Sequence, residues 1–268
     1  MDDVTLRKVQ LELLAMLKDI DQVCSKYQIA YFLDSGTLLG AIRHQGFIPW
    51  DDDLDIGMLR SDYDRFSAIA QKELGDSYFW QTWKTESGYA YPFGKVRKRH
   101  TVYLEEKSSV LKENGFFIDV LPYDFAPDNP KEQKRLKQKQ LFLFRCILMK
   151  DRYKPWIEQN RINLKKRLGY LIYQFISLFF RKDILIDSYE QLSKTVKDRK
   201  LVYQQNGKKY YPVEWLNQTT PVLFEGSEFP AGVGYEEWLV RAYGDYRQLP
   251  PEEERKNRHQ VYQINFSQ

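Results

Sequence analysis

Residues 33–58 read LDSGTLLGAIRHQGFIPWDDDLDIGM. Asp51, Asp52, Asp53 and Asp55 crowd the end of this stretch. Like charges at that density raise one another's pKa and oppose folding unless something cationic stands among them. From Asp53 onward acid and aliphatic alternate, Asp53-Leu54-Asp55-Ile56, which is the two-residue period of a strand with Leu54 and Ile56 turned to a core. Asp53 and Asp55 then share the other face. Two carboxylates side by side on a rigid strand are hard oxygen ligands, suited to a Mg²⁺ or Mn²⁺ ion shared with a substrate phosphate.

Working outward, Tyr31-Phe32-Leu33 reads as a short buried strand, Ser35-Gly36-Thr37 as a tight turn and Leu38 to Ile42 as the first turns of a helix. Backbone N–H groups at a helix start hold anions, and Gly36 lets a phosphate approach closely. A calcium loop does not explain the acids, because Ile56 and Asp62 stand where that motif wants Gly and Glu. A solvated acidic loop leaves Pro49, Trp50 and the two inward aliphatics unexplained.

Upstream, Leu6, Val9, Leu13, Leu17, Ile20, Cys24 and Tyr27 recur at three- and four-residue steps and predict a long amphipathic helix packed on the sheet. Ser61 with Asp64 resembles a capping box opening a second helix to about Leu74. Strand-like aromatic runs follow at 78–83 and 89–104, then Gly115 to Val120, with Pro122, Pro127 and Pro130 closing the segment. Helical patterns fill most of 131–200, residues 201–234 read as irregular or hairpin, and a last helix covers Glu236 to Tyr243 and stops at Gly244. The fold class expected is α/β of the α+β kind, a mixed sheet with an additional helical subdomain.

Asp119, between Ile118 and Val120, is an expensive place for a lone charge. Set beside the strand of Asp53 and Asp55, it completes a three-carboxylate metal site; backbone amides holding a structural Asp are the plainer account. As catalytic Asp it would also take the proton from an attacking hydroxyl. Lys95 is the first candidate to neutralise a diphosphate, with Arg43 and His44 behind it. No Ser-His-Asp order supports a hydrolytic triad.

GTLLGAIRHQGFIPWDDDLDIGM, FFIDVLP at 116–122 and YGDYRQLPPEEER from Tyr243 closely resemble the LicD family of phosphocholine transferases and, more distantly, fukutin and fukutin-related protein. The resemblance spans roughly residues 1–125 and 235–260. It implies a nucleotidyltransferase-like catalytic core over 1–125 and a mechanism in which Asp53, Asp55 and Asp119 bind Mg²⁺ or Mn²⁺. It further implies CDP-choline or a similar CDP-alcohol as donor, and a teichoic-acid or other glycan precursor on a lipid carrier as acceptor. A choline headgroup calls for aromatic faces. Trp50 adjoins the acids, while Trp80, Trp83, Tyr89 and Tyr91 are more simply read as core. Tyr243, Gly244 and Asp245 match the family's terminal motif and are expected to close the pocket. Transfer of ribitol, glycerol or ethanolamine phosphate is an alternative. So is a nucleotide-sugar glycosyltransferase, although only one helix and one strand precede the Asp-x-Asp here. A catalytically idle scaffold sits badly with intact acids.

The composition, 268 residues with 43% hydrophobic and 15% aromatic content, fits a packed globular chain with a sizeable core. Cys24 and Cys146 have no metal-site or disulfide-framework spacing, and MDDVTLRKVQLELL lacks the layout of a signal peptide, so a cytoplasmic location is expected. The net charge of +4 conceals an asymmetry. Residues 131–200 hold 19 Lys and Arg against 7 Asp and Glu, leaving the remainder at −8. No recognised nucleic-acid motif accompanies that charge. Within this basic subdomain, 126–200, the run LGYLIYQFISLFF at 168–180 is too short to span a bilayer. Two readings stay open: peripheral contact with an anionic membrane, or a buried core helix with solvated lysines. Residues 201–268 are expected to complete the active-site pocket.

Overall fold

The structure is a computed structural model that describes residues 1–105, 111–151, 153–158, 161–196, 199–205, 207, 209–257 and 261–266. Every candidate site residue lies among them. Helix α1 (Asp3–Tyr27) opens on the Asp2 side chain, which accepts the Thr5 N–H at 2.8 Å. Its Leu13, Leu17 and Ile20 are fully buried, each contributing about 1.5–3 kcal/mol of burial.

The main sheet runs in the order β1 (Phe32–Leu33), β2 (Asp55–Leu59), β6 (Phe117–Ala126), β4 (Gly94–Lys98), β3 (Tyr78–Gln81). β2 and β6 are parallel and the other neighbours antiparallel, so the sheet is mixed as expected. Helix α3 (Arg60–Glu73) covers one face, where Trp80 packs edge-on against Phe66 at 5.3 Å and donates to Ser67 Oγ at 3.0 Å. Lys98 of β4 reaches Glu12 of α1 on that face at 2.6 Å.

Several expectations change: β2 begins at Asp55, leaving Asp53 and Leu54 before the strand, and β3 ends at Gln81 and not at Trp83. Helix α2 (Ser35–His44) begins three residues before Leu38, because Asp34 caps it by accepting the Ser35 N–H at 2.8 Å. The N-cap of α3 is Leu59 without a side-chain cap bond, and Ser61 sits inside the first turn. Residues 89–93 are not strand: Gly88 takes a left-handed φ of 85°, Pro92 follows, and Tyr89 packs with Trp83 into a second core. β6 passes through Pro122 instead of stopping there. β4 pairs with β6 only as far as Val120, and β9 (Leu201–Gln204) begins pairing at Tyr123, so Pro122 falls where one edge of the strand has no neighbour.

The middle segment forms α4 (Pro130–Lys150), the short pair β7 (Ile157–Glu158) and β8 (Arg161–Ile162), α5 (Leu164–Leu178) and α6 (Lys182–Lys194). Cys146 and Ile147 of α4 join Leu185, Ile186 and Tyr189 of α6 and Trp83 in that second core. α5 is not a core helix. Ser177 is its one buried residue, and its leucines face outward. No helix among the described residues is long and apolar enough to cross a membrane.

Residues 201–234 hold β9, β10 (Tyr211–Pro212) and a hairpin of β11 (Thr219–Phe224) with β12 (Ser227–Gly232). The hairpin turns through Glu225 and Gly226, both at positive φ. Helix α7 (Tyr235–Tyr243) ends at Gly244, whose φ is 75°. β13 (Val261–Asn265) pairs with β5 (Val102–Glu105).

Candidate active site

Strand register aligns the acids with a base. Asp55 of β2 lies opposite Asp119 of β6, and Asp119 lies opposite Lys95 of β4. Cross-strand partners share a face. Gln81 of β3, opposite Lys95, extends the row to four polar groups on the side away from α3. Lys95 Nζ stands 2.6 Å from Asp119 Oδ1 and 3.5 Å from the Phe117 ring centre, with Tyr91 and Phe93 at 5.3 and 5.8 Å. Lys95 is only 4% exposed, so the acid and the negative ring faces offset the cost of burying its charge.

Asp55 is held from two sides. Its N–H donates to Thr37 Oγ1 at 2.9 Å, and its carbonyl accepts the Asp34 N–H at 3.1 Å. Burial, then Asp53, Asp119 and Asp34, push the Asp55 carboxyl well above the usual carboxylate range, and Lys95 offsets this only in part. Asp34 is itself pushed up to about 6 by burial, against the opposing effect of the Tyr123 hydroxyl, which donates to both its oxygens at 2.9 and 3.0 Å.

Asp53 precedes β2, half-buried like Asp51 and Asp55, while Asp52, Leu54 and Ile56 are buried. The alternation therefore sorts the four acids. Asp52 turns inward and takes hydrogen bonds from the Tyr103 hydroxyl and, at 2.6 Å, from Asn257. Leu54 extends the ladder by accepting the Asp119 N–H at 3.0 Å.

Beside the acids opens a cleft of about 480 Å³ lined by Gly36, Arg43, Trp50, Asp51, Tyr243 and Lys256 among others. A Cβ on Gly36 would fall 2.8 Å from Asp51 Oδ2, so only glycine fits as this carboxylate stands. Arg43 donates to His44 Nε2 at 3.0 Å and to the carbonyls of Tyr246 and Gln248 at 3.1 and 3.3 Å, tying α2 to the C-terminal segment. Burial and then Arg43 lower the His44 pKa, consistent with a neutral ring accepting that bond; the ring meets Trp50 edge-on at 6.3 Å. Tyr243 keeps 46% of its surface exposed at the rim, yet burial and four nearby aspartates raise its hydroxyl pKa.

Among the described residues no three His, Cys, Asp or Glu side chains close on one point as a finished cation cage. The donor chemistry nonetheless fits a hard divalent ion. The acids offer oxygen alone, and their mutual repulsion is under-compensated at Asp55, where Lys95, 2.6 Å from Asp119 Oδ1, offsets it only in part.

Sequence reasoning missed Asp34, Tyr123, Gln81 and Phe117. Asp34 was findable, as an N-cap residue directly before Ser-Gly-Thr. The other three enter through strand register, which no local pattern encodes.

The nucleotidyltransferase domain of the LicD/FKTN/FKRP family matches residues 28–150, the interval holding Asp34, Asp55, Lys95 and Asp119. The lipopolysaccharide cholinephosphotransferase LicD of Haemophilus influenzae is 32% identical over 262 residues, 97% of either chain. This chain belongs to the LicD family. The ribitol 5-phosphate transferase FKRP of Homo sapiens is 40% identical over 119 residues, 37% of this chain and 24% of that one. An uncharacterized protein of Rickettsia typhi is 49% identical over 70 residues, 25% of this chain and 23% of its own length. The LicD-family chain is an enzyme, a phosphotransferase.

Proposed function

We propose that this enzyme moves phosphocholine from CDP-choline to a sugar hydroxyl of a teichoic acid, lipopolysaccharide or similar surface-glycan precursor, releasing CMP. The observation that carries the reading is the row Asp55–Asp119–Lys95, two half-buried acids aligned with a buried lysine, beside the first turn of α2. Asp53, Asp55 and Asp119 would hold Mg²⁺ or Mn²⁺, which supplies positive charge against the diphosphate. The N–H groups of Gly36 and Thr37, in the first turn of α2, face no earlier helical carbonyl and suit a phosphate oxygen. Arg43 adds a fixed cation at the cleft wall. Lys95 orients Asp119. The acceptor oxygen bonds to the phosphorus that carries choline, the bond from that phosphorus to the CMP oxygen breaks, and the acceptor's proton passes to the Asp119 carboxylate.

Trp50 offers its ring to the quaternary ammonium, which cannot donate hydrogen bonds. The likeness to a ribitol 5-phosphate transferase favours a second reading in which the alcohol is a polyol. Incubation with a glycan acceptor and a panel of CDP-choline, CDP-ribitol, CDP-glycerol and CDP-ethanolamine, with CMP as readout, separates them. CMP release that needs both acceptor and divalent ion, and is fastest with CDP-choline, is the expected result. Turnover of nucleotide sugars instead would make the chain a glycosyltransferase. The acceptor is proposed to be lipid-linked and met at the cytoplasmic face of the membrane.

A further inference from the structure

An ordinary surface helix buries its apolar stripe and shows water its polar one. α5 does something else. Tyr173 stands 5.7 Å from Phe142 of α4, its hydroxyl accepts a hydrogen bond from Arg145 at 2.8 Å, and Ser177 is buried beneath it. On the opposite side, at helical spacing, stand Leu164, Leu168, Leu171, Ile172, Phe175 and Leu178. Their exposures run from 49% at Leu171 to 71% at Leu164, and Phe179 and Phe180 continue the row at 69% and 47%. That is a contiguous apolar surface on the order of several hundred Å², more than a lone chain leaves in water without a use for it.

The charge around the row selects the occupant. No Asp or Glu occurs from Leu164 to Phe180, and Lys165, Lys166 and Arg167 fill the first turn. Arg181 and Lys182 follow the end, the first 79% exposed although paired with Asp183, the second paired with Asp151. A second copy meeting this face would bring basic ends against basic ends. An anionic bilayer accepts both parts at once, acyl chains taking the leucines and phenylalanines and headgroups taking the cations. We propose that α5 lies in the plane of an anionic membrane with Leu168, Leu171 and Phe175 inserted and Lys165 and Arg167 on the headgroups. The 15-residue helix is too short to span, and the acidic remainder of the chain is turned away from the surface by its own charge. This inference stands apart from the identity of donor and acceptor.

The test is flotation of the full chain with vesicles of phosphatidylcholine, alone or mixed with phosphatidylglycerol. Wild type is expected to float with the mixed vesicles at low salt and not with the neutral ones, and high salt should weaken binding through screening. Leu168→Gln with Phe175→Gln should lose at least about tenfold in binding at an unchanged unfolding midpoint, since both side chains are already exposed. Lys165→Gln and Arg167→Gln should each cost about fivefold, the equivalent of ~1 kcal/mol. Cys24 and Cys146 are buried, so Leu171→Cys accepts an environment-sensitive dye selectively, and its emission should shift to the blue on mixed vesicles. Wild type that stays with the soluble fraction at low salt, or a Leu168→Gln/Phe175→Gln variant that floats as well as wild type, overturns the proposal. So does a dimer in sedimentation that this variant dissolves, with no vesicle binding by either protein.

Discussion

Strand β6 carries two carboxylates, and the sheet treats them in opposite ways. Asp124 has 0% of its side chain exposed and is gripped by Arg60 through two contacts of 2.6 and 3.0 Å, with Gln205 donating at 2.6 Å. Burial works against the Arg60 charge, and Asp124 more than restores it, raising the guanidinium pKa. Asp119 faces the other side of the sheet, 16% exposed, with one lysine shared between it and a neighbouring Asp55 that Asp53 and Asp34 further burden. A charge whose partners satisfy it locally holds structure. A cluster of acids left with too little positive charge is a place where a cation completes the count and can then bridge to a phosphate.

The largest effect that could break this contrast is on turnover. Asp55→Asn keeps the shape and removes one charge from the cluster, so transfer should fall by about 10²–10⁴-fold. Stability should not fall with it. The folded pKa of Asp55 is raised, so the charged form penalises the fold at neutral pH and neutralisation relieves it, the gain shrinking as pH drops through that raised pKa. CMP release and thermal unfolding measured on the same preparation check both halves. An active Asp55→Asn enzyme would remove the acid row from the mechanism.

Asp124→Asn should show the reverse. It leaves a buried guanidinium with only the longer 3.4 Å contact to Asp64 and is expected to cost about 3 kcal/mol in denaturant unfolding, while the folded fraction keeps its turnover. Replacing both partners, Arg60→Met with Asp124→Leu, should recover most of the loss, which the single variant cannot.

How far these two carboxylates were legible in sequence follows from the range of the signals involved. The alternation at Asp53 to Ile56 turns Leu54 and Ile56 inward, and the helical spacing from Leu6 to Tyr27 marks α1 to its last residue but three residues late at its start, because both are set by local periodicity. Asp119 stood out because an acid between Ile118 and Val120 is costly. Asp124 carries no such local signal, since its partner Arg60 lies 64 positions away and only tertiary packing joins them. For the same reason the sequence alone makes Pro122 an end to β6: the gap between β4 and β9 that tolerates it depends on pairing with distant strands. α5 left two readings open because an apolar run with basic flanks looks the same whether its leucines face protein or solvent.

The rings obey the same division as the acids. Trp80 is buried with its N–H satisfied by Ser67, whereas Trp50 is half-buried at the cleft. Trp50→Leu should weaken CDP-choline binding by ~0.5–2 kcal/mol and leave CMP binding nearly unchanged, as measured by calorimetry. Equal loss for both ligands would make Trp50 a nucleotide or structural contact.

Glu225 lies between the two extremes and sharpens the contrast most finely. From the hairpin turn it takes Arg7 Nη1 at 3.0 Å and the Phe47 N–H at 3.1 Å, pinning the hairpin to α1 and to the loop after α2. Arg7 is nearly half exposed, so solvent screens the pair. Arg7, partly opposed by burial, holds the Glu225 carboxyl below its ordinary range. A carboxyl with a depressed folded pKa contributes stability at pH above its unfolded value, and that contribution drains away as pH falls toward the folded pKa. Glu225→Gln should therefore cost about 0.5–1 kcal/mol at neutral pH, and its unfolding curve should converge on that of wild type in acid. Turnover should be untouched, because this acid is satisfied by its own neighbours and stands outside the row. A turnover loss in Glu225→Gln comparable to that of Asp55→Asn would show that local satisfaction does not separate structural acids from catalytic ones in this protein.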